Sequence, residues 1–118
     1  LLSNLGTLAT VAEQAPQNFV HFVLENGVYA STGGQPIAGR KFVDFAGIAK
    51  NAGYPHSYSF DNLEDFASAA PKILKEQGPV FVDLKVEPEV ENRPIHLRPK
   101  MRTLPKAWPV MWKKLREG

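Results

Sequence analysis

Apolar positions recur at helical spacing at the start of the chain. Leu1, Leu5, Leu8 and Ala12 fall near one face, which predicts a helix over residues 2–14. Pro16 closes that segment, because proline disfavours helical geometry in the residue before it. Residues 18–26, from Asn18 to Asn26, are β-branched and aromatic, and apolar on both alternating sets except at His21. That pattern predicts a strand buried on both faces, as in a parallel sheet. Residues 27–41 have no usable period, and a loop of that length in a compact domain is usually functional or disordered. Helical spacing returns over 42–52 through Phe42, Phe45, Ile48 and Ala49, with Gly53 suited to follow the last turn. His56–Phe60 reads as a short strand. Asp61 or Asn62 can cap the next helix, with Glu64 and Asp65 matching the helix dipole in its first turn. That helix is expected to run to about Gln77 and to stop at Gly78-Pro79, with a kink or break at Pro71. Residues 79–86 form the last predicted strand. The proline-rich remainder holds one predicted element, a short helix from Trp108 to Arg116.

The resulting order is α-β-loop-α-β-α-β-tail. Each helix is long enough for a crossover, so the strands are expected to pair in parallel. The fold class is therefore α/β, a partial doubly wound parallel sheet in a three-layer α/β/α arrangement. Residues 1–90 carry it, and residues 91–118 form a basic, proline-rich tail. The chain opens at Leu1 inside an apolar run with no strand ahead of its first helix, so the front strands of the sheet are expected to be missing. There is no internal repeat and no low-complexity stretch.

Composition changes this picture little, and mainly by exclusion. At 43% hydrophobic and 22% charged residues the chain is an ordinary globular sequence. It has no cysteine, so disulfides, thiolate zinc sites and cysteine nucleophiles are excluded. No apolar run is long enough for a membrane span, and there is no basic-then-apolar leader, so a cytoplasmic location is expected. Net charge is only +2, but residues 1–90 are acidic on balance and residues 91–118 strongly basic. We read that asymmetry as a tail that docks on an acidic body or on a partner subunit, not as a nucleic-acid site, since aromatic interleaving is confined to Trp108 and Trp112.

Chemistry is expected where open parallel sheets bind ligands, beyond the carboxyl ends of their strands. The first strand ends at Glu25-Asn26-Gly27 and the long loop follows at once. Asn26 places an amide oxygen at that edge, and Gly27 lets the backbone turn or approach a ligand closely. Asn-Gly after a strand is also a common turn pair, so a plain turn stands as the alternative for Asn26. Ser31, Thr32 and Gln35 can face a substrate from the loop or simply bond locally. Arg40-Lys41 could attract an anionic substrate, although a basic pair at a helix start is ordinary. His21, His56 and His96 are not at metal-ligand spacing and read as structural. Asp83 sits inside an apolar strand and needs a partner if buried. No Gly-x-Gly-x-x-Gly, Walker or Gly-x-Ser-x-Gly motif is present.

Residues 22–36, Phe-Val-Leu-Glu-Asn-Gly-Val-Tyr-Ala-Ser-Thr-Gly-Gly-Gln-Pro, together with residues 1–10, Leu-Leu-Ser-Asn-Leu-Gly-Thr-Leu-Ala-Thr, resemble the diphosphate-binding, C-terminal domain of thiamine-diphosphate-dependent enzymes. The similarity is greatest to the phosphonopyruvate and sulfopyruvate decarboxylase group. That family's motif opens with Gly-Asp-Gly and closes on Asn, and Leu1 looks like a position just after its opening. The resemblance implies thiamine diphosphate and Mg²⁺ as cofactors. It implies Asn26 and the Val28 carbonyl as metal ligands, with Gly27, Tyr29 and Ala30 beside the diphosphate. The family's Asp ligand has no counterpart, because its position precedes Leu1. Where the family often has Asn-Asn, this chain has Glu25-Asn26.

The implied activity is decarboxylation of a 2-oxo acid, a carbon-carbon lyase reaction in which the cofactor is the nucleophile. In the family a Glu from a pyrimidine-binding domain activates the cofactor, and nothing here resembles that domain. The resemblance thus implies a pyrimidine-binding domain or subunit as partner, an oligomeric enzyme, and no catalytic residue in this chain, which alone is expected to be inactive. The alternative is a non-enzymatic interaction or scaffold domain that kept the fold without the cofactor.

Overall fold

The structure, a computed structural model, describes residues 1–88. A 3-10 turn at Leu2–Asn4 leads into helix α1, Gly6–Gln14. The helix ends with Ala15 in the left-handed region (φ 44°), whose N–H reaches back to the carbonyls of Val11 and Ala12. Strand β1 is Val20–Glu25. The segment expected to be irregular instead closes a small antiparallel hairpin, β2 at Val28–Tyr29 and β3 at Gln35–Pro36, around a 3-10 turn at Ala30–Thr32. Two pairs of residues are too short to leave a period of two in the sequence.

Helix α2 spans Phe45–Asn51. It starts later than the periodicity suggests because Asp44 caps it, accepting the Gly47 N–H at 2.8 Å. Phe42 therefore lies ahead of the helix and is 88% exposed. Strand β4 is His56–Phe60, helix α3 is Leu63–Ile73, and strand β5 is Val80–Lys85. Asn62 is the cap of α3, its Oδ1 accepting from the N–H groups of Glu64 at 2.9 Å and Asp65 at 3.1 Å. The helix runs through Pro71, where a break was expected, and ends at Ile73. Proline removes one donor, but it falls in the last turn, and the Leu74 N–H still bonds the Ala70 carbonyl at 2.9 Å. Beyond that the chain tightens into three-residue bonds, Lys75 to Lys72 and Glu76 to Ile73, so the helix stops short of Gln77. The short helix predicted at Trp108–Arg116 lies outside the described residues.

The three long strands form a parallel sheet in the order β1-β5-β4. Val20 faces Val80 and Glu25 faces Lys85 on one side of β5, while His56 faces Val80 and Phe60 faces Leu84 on the other. Alternation along β5 divides the core between two layers of helix. Phe81 packs with Leu8 of α1, Phe45 and Ala49 of α2, and Tyr54. Val80 and Val82 point the other way, to Ile73 of α3. Each of these fully buried side chains contributes about 2 kcal/mol of transfer free energy. The predicted three-layer α/β/α sandwich is thus present in the described residues.

A further expectation changes. β1 is not buried on both faces, because Leu24 is 66% and Phe22 44% exposed. α3 lies over β4 and β5, and only the Phe66 ring reaches Phe22, edge-on at 6.2 Å between centroids. No helix of the described residues is long and apolar enough to cross a membrane.

Replacing Asn62 with Ala removes the acceptor for two N–H groups of α3. The expected loss is about 1 kcal/mol, read as a lower denaturant midpoint, with Asn62→Asp retaining most of the stability.

Candidate functional site at the carboxyl edge of the sheet

Parallel pairing places the ends of β1 and β5 side by side, and the residues just beyond β1 form the site. Gly27 is buried with φ 67°, a conformation that glycine adopts without strain. Its carbonyl accepts the Ile37 N–H at 3.2 Å, which anchors the hairpin to the end of the sheet. The Asn26 Oδ1 accepts the Val28 N–H at 3.1 Å. This is the local turn that stood as the alternative for Asn26. An amide oxygen has two lone pairs, so one remains. Val28 faces Pro36 across the hairpin. Because the Ile37 N–H bonds the Gly27 carbonyl, Val28 and Pro36 form a non-hydrogen-bonded pair, and the hairpin leaves the Val28 carbonyl unspent. A cavity of about 200 Å³ opens here, lined by Ser3, Asn26, Gly27, Val28, Tyr29 and Phe45 among others.

The donor set suits a hard cation. Two neutral oxygens, an amide and a backbone carbonyl, match magnesium, which is usually held by few protein groups together with phosphate oxygens. Among the described residues no group of three or more His, Asp or Glu could hold a metal ion without such help. The residues present therefore fit a magnesium diphosphate and do not fit a zinc cage.

The loop residues expected to face a substrate bond mostly to one another. The Thr32 hydroxyl lies 3.2 Å from Gln35 Oε1 and 3.3 Å from the Tyr29 carbonyl, and Gln35 Nε2 donates to the Thr32 carbonyl at 3.1 Å. Ser31 is exposed on the 3-10 turn beside Ala30. The hairpin thus brings Tyr29, Ala30, Ser31, Thr32 and Gln35 together beyond Asn26 and spends the Thr32 and Gln35 polar groups on its own shape.

Asp83 is the polar residue whose partners the sequence left unnamed. It is buried (1% exposed) on β5, and its Oδ2 accepts the Ser59 hydroxyl of β4 at 3.0 Å. Oδ1 has no donor among the described residues. Glu25, two residues along β1 from Val23, the register partner of Asp83, is the neighbouring carboxyl. Burial, and then the adjoining Asp83 carboxyl, push the Glu25 pKa up from its ordinary value of 4.5. Ser59 and Asp83 thus tie β4 to β5, with the Glu25 carboxyl of β1 beside them. An Asp inside an apolar strand was the sequence signal for it.

The histidines are away from this edge. His56 opens β4 at the amino end of the sheet, 3.7 Å from Glu76, whose carboxylate also accepts the Tyr58 hydroxyl at 2.8 Å. His21 is hydrogen-bonded to the Tyr54 hydroxyl at 3.1 Å, and burial lowers its pKa. Both thus lie against neighbouring side chains, away from the Asn26 turn. His96 lies outside the described residues.

The family model described as thiamine pyrophosphate enzyme, C-terminal TPP binding domain, matches residues 1–84. The chain is similar to the phosphonopyruvate decarboxylase of Streptomyces viridochromogenes, with 41% identity over 88 residues, 75% of this chain and 22% of that protein. It is similar to the sulfopyruvate decarboxylase of Methanosarcina acetivorans, with 28% identity over 94 residues, 80% of this chain and 24% of the relative. It is similar also to the sulfopyruvate decarboxylase subunit beta of Methanothermobacter thermautotrophicus, with 34% identity over 95 residues, 80% of this chain and 48% of that subunit. The chain thus spans about half the length of that subunit and under a quarter of the other two proteins.

The Glu25 carboxyl gives a pH dependence with a definite sign. A folded pKa above the unfolded one means that the folded state binds the extra proton. Stability from this group is present below about pH 4.5 and is lost as pH rises through the raised folded value. Glu25→Gln removes the titrating carboxyl. Its expected effect is a flatter stability profile through mildly acidic pH in denaturant titrations, whereas an unchanged profile would remove Glu25 as its source.

Proposed function

We propose a role that starts from family membership: the chain belongs to the thiamine pyrophosphate enzymes, as their C-terminal TPP-binding domain. On this reading it holds the diphosphate end of thiamine diphosphate in a 2-oxo acid decarboxylase. Asn26 Oδ1 and the Val28 carbonyl ligate Mg²⁺, and Gly27, Tyr29 and Ala30 line the diphosphate. The observation that carries the reading is the Asn26–Val28 turn at the carboxyl edge of a parallel sheet, against a cavity, with one lone pair of the Asn26 amide and the Val28 carbonyl left unspent by the hairpin. Bound thiamine diphosphate supplies the electron sink for loss of carbon dioxide. This chain's residues bind and orient, and Ser31, Thr32 and Gln35 border the substrate.

The substrate on this reading is a 2-oxo acid with a second acidic group, because relatives are named for phosphonopyruvate and sulfopyruvate. The partner is a pyrimidine-binding domain or subunit. Support comes from the relatives named as a beta subunit, each about twice the length matched here. The chain by itself is then inactive, since the group that activates the cofactor belongs to that partner.

A second reading, an interaction domain that retains the fold without the cofactor, is favoured by one observation. The Asn26 oxygen is already bonded to Val28, and the Thr32 and Gln35 side chains to each other.

Calorimetric titration of the full-length protein separates the two. The decarboxylase reading expects thiamine diphosphate to bind with Mg²⁺ and to lose affinity in excess chelator. It expects Asn26→Ala to weaken binding tenfold or more, about 1.4 kcal/mol. Equal affinity with and without the chelator, or an unchanged Asn26→Ala titration, removes the metal role. Absence of any binding favours the interaction domain.

A further inference from the structure

Beside the cavity of the Asn26 turn lies a second one of about 200 Å³, lined by Asn26, Gly27, Arg40, Lys85, Glu25 and Glu87 among others. Arg40 reaches it by a defined route. The Ile37 N–H is tied to the Gly27 carbonyl, and a turn follows in which the Arg40 N–H bonds the Ile37 carbonyl at 3.4 Å. The turn returns the Arg40 side chain over Gly27. A Cβ built on Gly27 would lie 2.7 Å from Arg40 Nε, 3.2 Å from Cζ and 3.3 Å from Cδ. The guanidinium stem thus rests against the bare Gly27 backbone.

This cation is placed but not spent. Among the described residues no carboxylate lies within salt-bridge distance of Arg40 or of Lys85. Two acidic groups face the same cavity. Glu25 and Glu87 both line it, and neither pairs with Arg40 or Lys85. Guanidinium presents a fixed fork of donors matched to tetrahedral oxyanions, and holding its stem lowers the entropy lost when it binds one. We infer that Arg40, seated on Gly27 and assisted by Lys85, is the residue of this site that recognises a tetrahedral oxyanion. The anion is either the phosphonate or sulfonate of the substrate or the diphosphate of the cofactor. The inference rests on the decarboxylase reading for the identity of the anion, and on the Gly27 seat and the neighbouring cavity for its place. It makes Arg40 a specificity residue, and Gly27 a positioning residue for it.

The test uses the full-length protein and two probes, thiamine diphosphate with Mg²⁺, and phosphonoacetate, which carries a phosphonate and a carboxylate but no ketone. Affinities are measured calorimetrically for the wild type, Arg40→Gln and Arg40→Lys. Arg40 is exposed, so both variants are expected to melt as the wild type does. The expected result is a tenfold or greater loss for one probe in Arg40→Gln, partly recovered in Arg40→Lys. Loss confined to phosphonoacetate assigns Arg40 to the substrate, and loss confined to thiamine diphosphate assigns it to the cofactor. Unchanged affinity for both probes overturns the inference. A wild type that binds phosphonoacetate through Arg40 but not thiamine diphosphate upholds it and removes the decarboxylase reading. A wild type that binds neither overturns both.

Discussion

Strand β5 is hydrogen-bonded along both edges and packed on both faces, and the rest of the described structure is arranged around it. Val80, Phe81 and Val82 are inaccessible to solvent, with two helices over one face and one over the other. Parallel pairing in register on both sides then sets where each neighbour ends. Because Glu25 stands opposite Lys85, the turn at Asn26 emerges at the carboxyl edge beside the end of β5. The position of the Asn26 and Val28 oxygens is therefore a consequence of strand register and not of the loop alone.

The same strand carries a polar residue, and burying it has a structural result. A carboxyl in an apolar layer is costly unless hydrogen-bonded. Asp83 obtains one partner from β4, the Ser59 hydroxyl, which ties β4 to β5 beneath the helices. Burial, and then the neighbouring Asp83 carboxyl, raise the Glu25 pKa at the end of β1.

Beyond the sheet, backbone freedom is concentrated where ligands would approach. Gly27 takes a conformation that L side chains rarely adopt, accepts the hairpin through its carbonyl, and leaves room for the Arg40 stem. One small residue thus serves the turn, the hairpin and the placement of a cation. The hairpin satisfies its own polar groups through Thr32 and Gln35, which holds the backbone near Asn26 in shape without help from a ligand. The binding residues sit on loops while their positions are set by a rigid scaffold, the usual division of labour in α/β proteins.

What the sequence by itself determined was whatever depends on neighbours a few residues apart. Periodicity marked α1, β1, β4 and β5, the Asn62 cap was readable from residue type, and the 22–36 stretch pointed to the family and to the Asn26 edge. Helix bounds were less accurate at α2 and α3, where the Asp44 cap and the tightened turns after Leu74 moved the ends. The β2-β3 hairpin was missed because two residues cannot show a period. Only the tertiary structure decided the strand order β1-β5-β4, the exposure of Phe22 and Leu24, the partners of Asp83 and the seat of Arg40 on Gly27. Each of these joins segments far apart in the chain, and such contacts are set by how layers pack, which no local pattern of apolar and polar residues records.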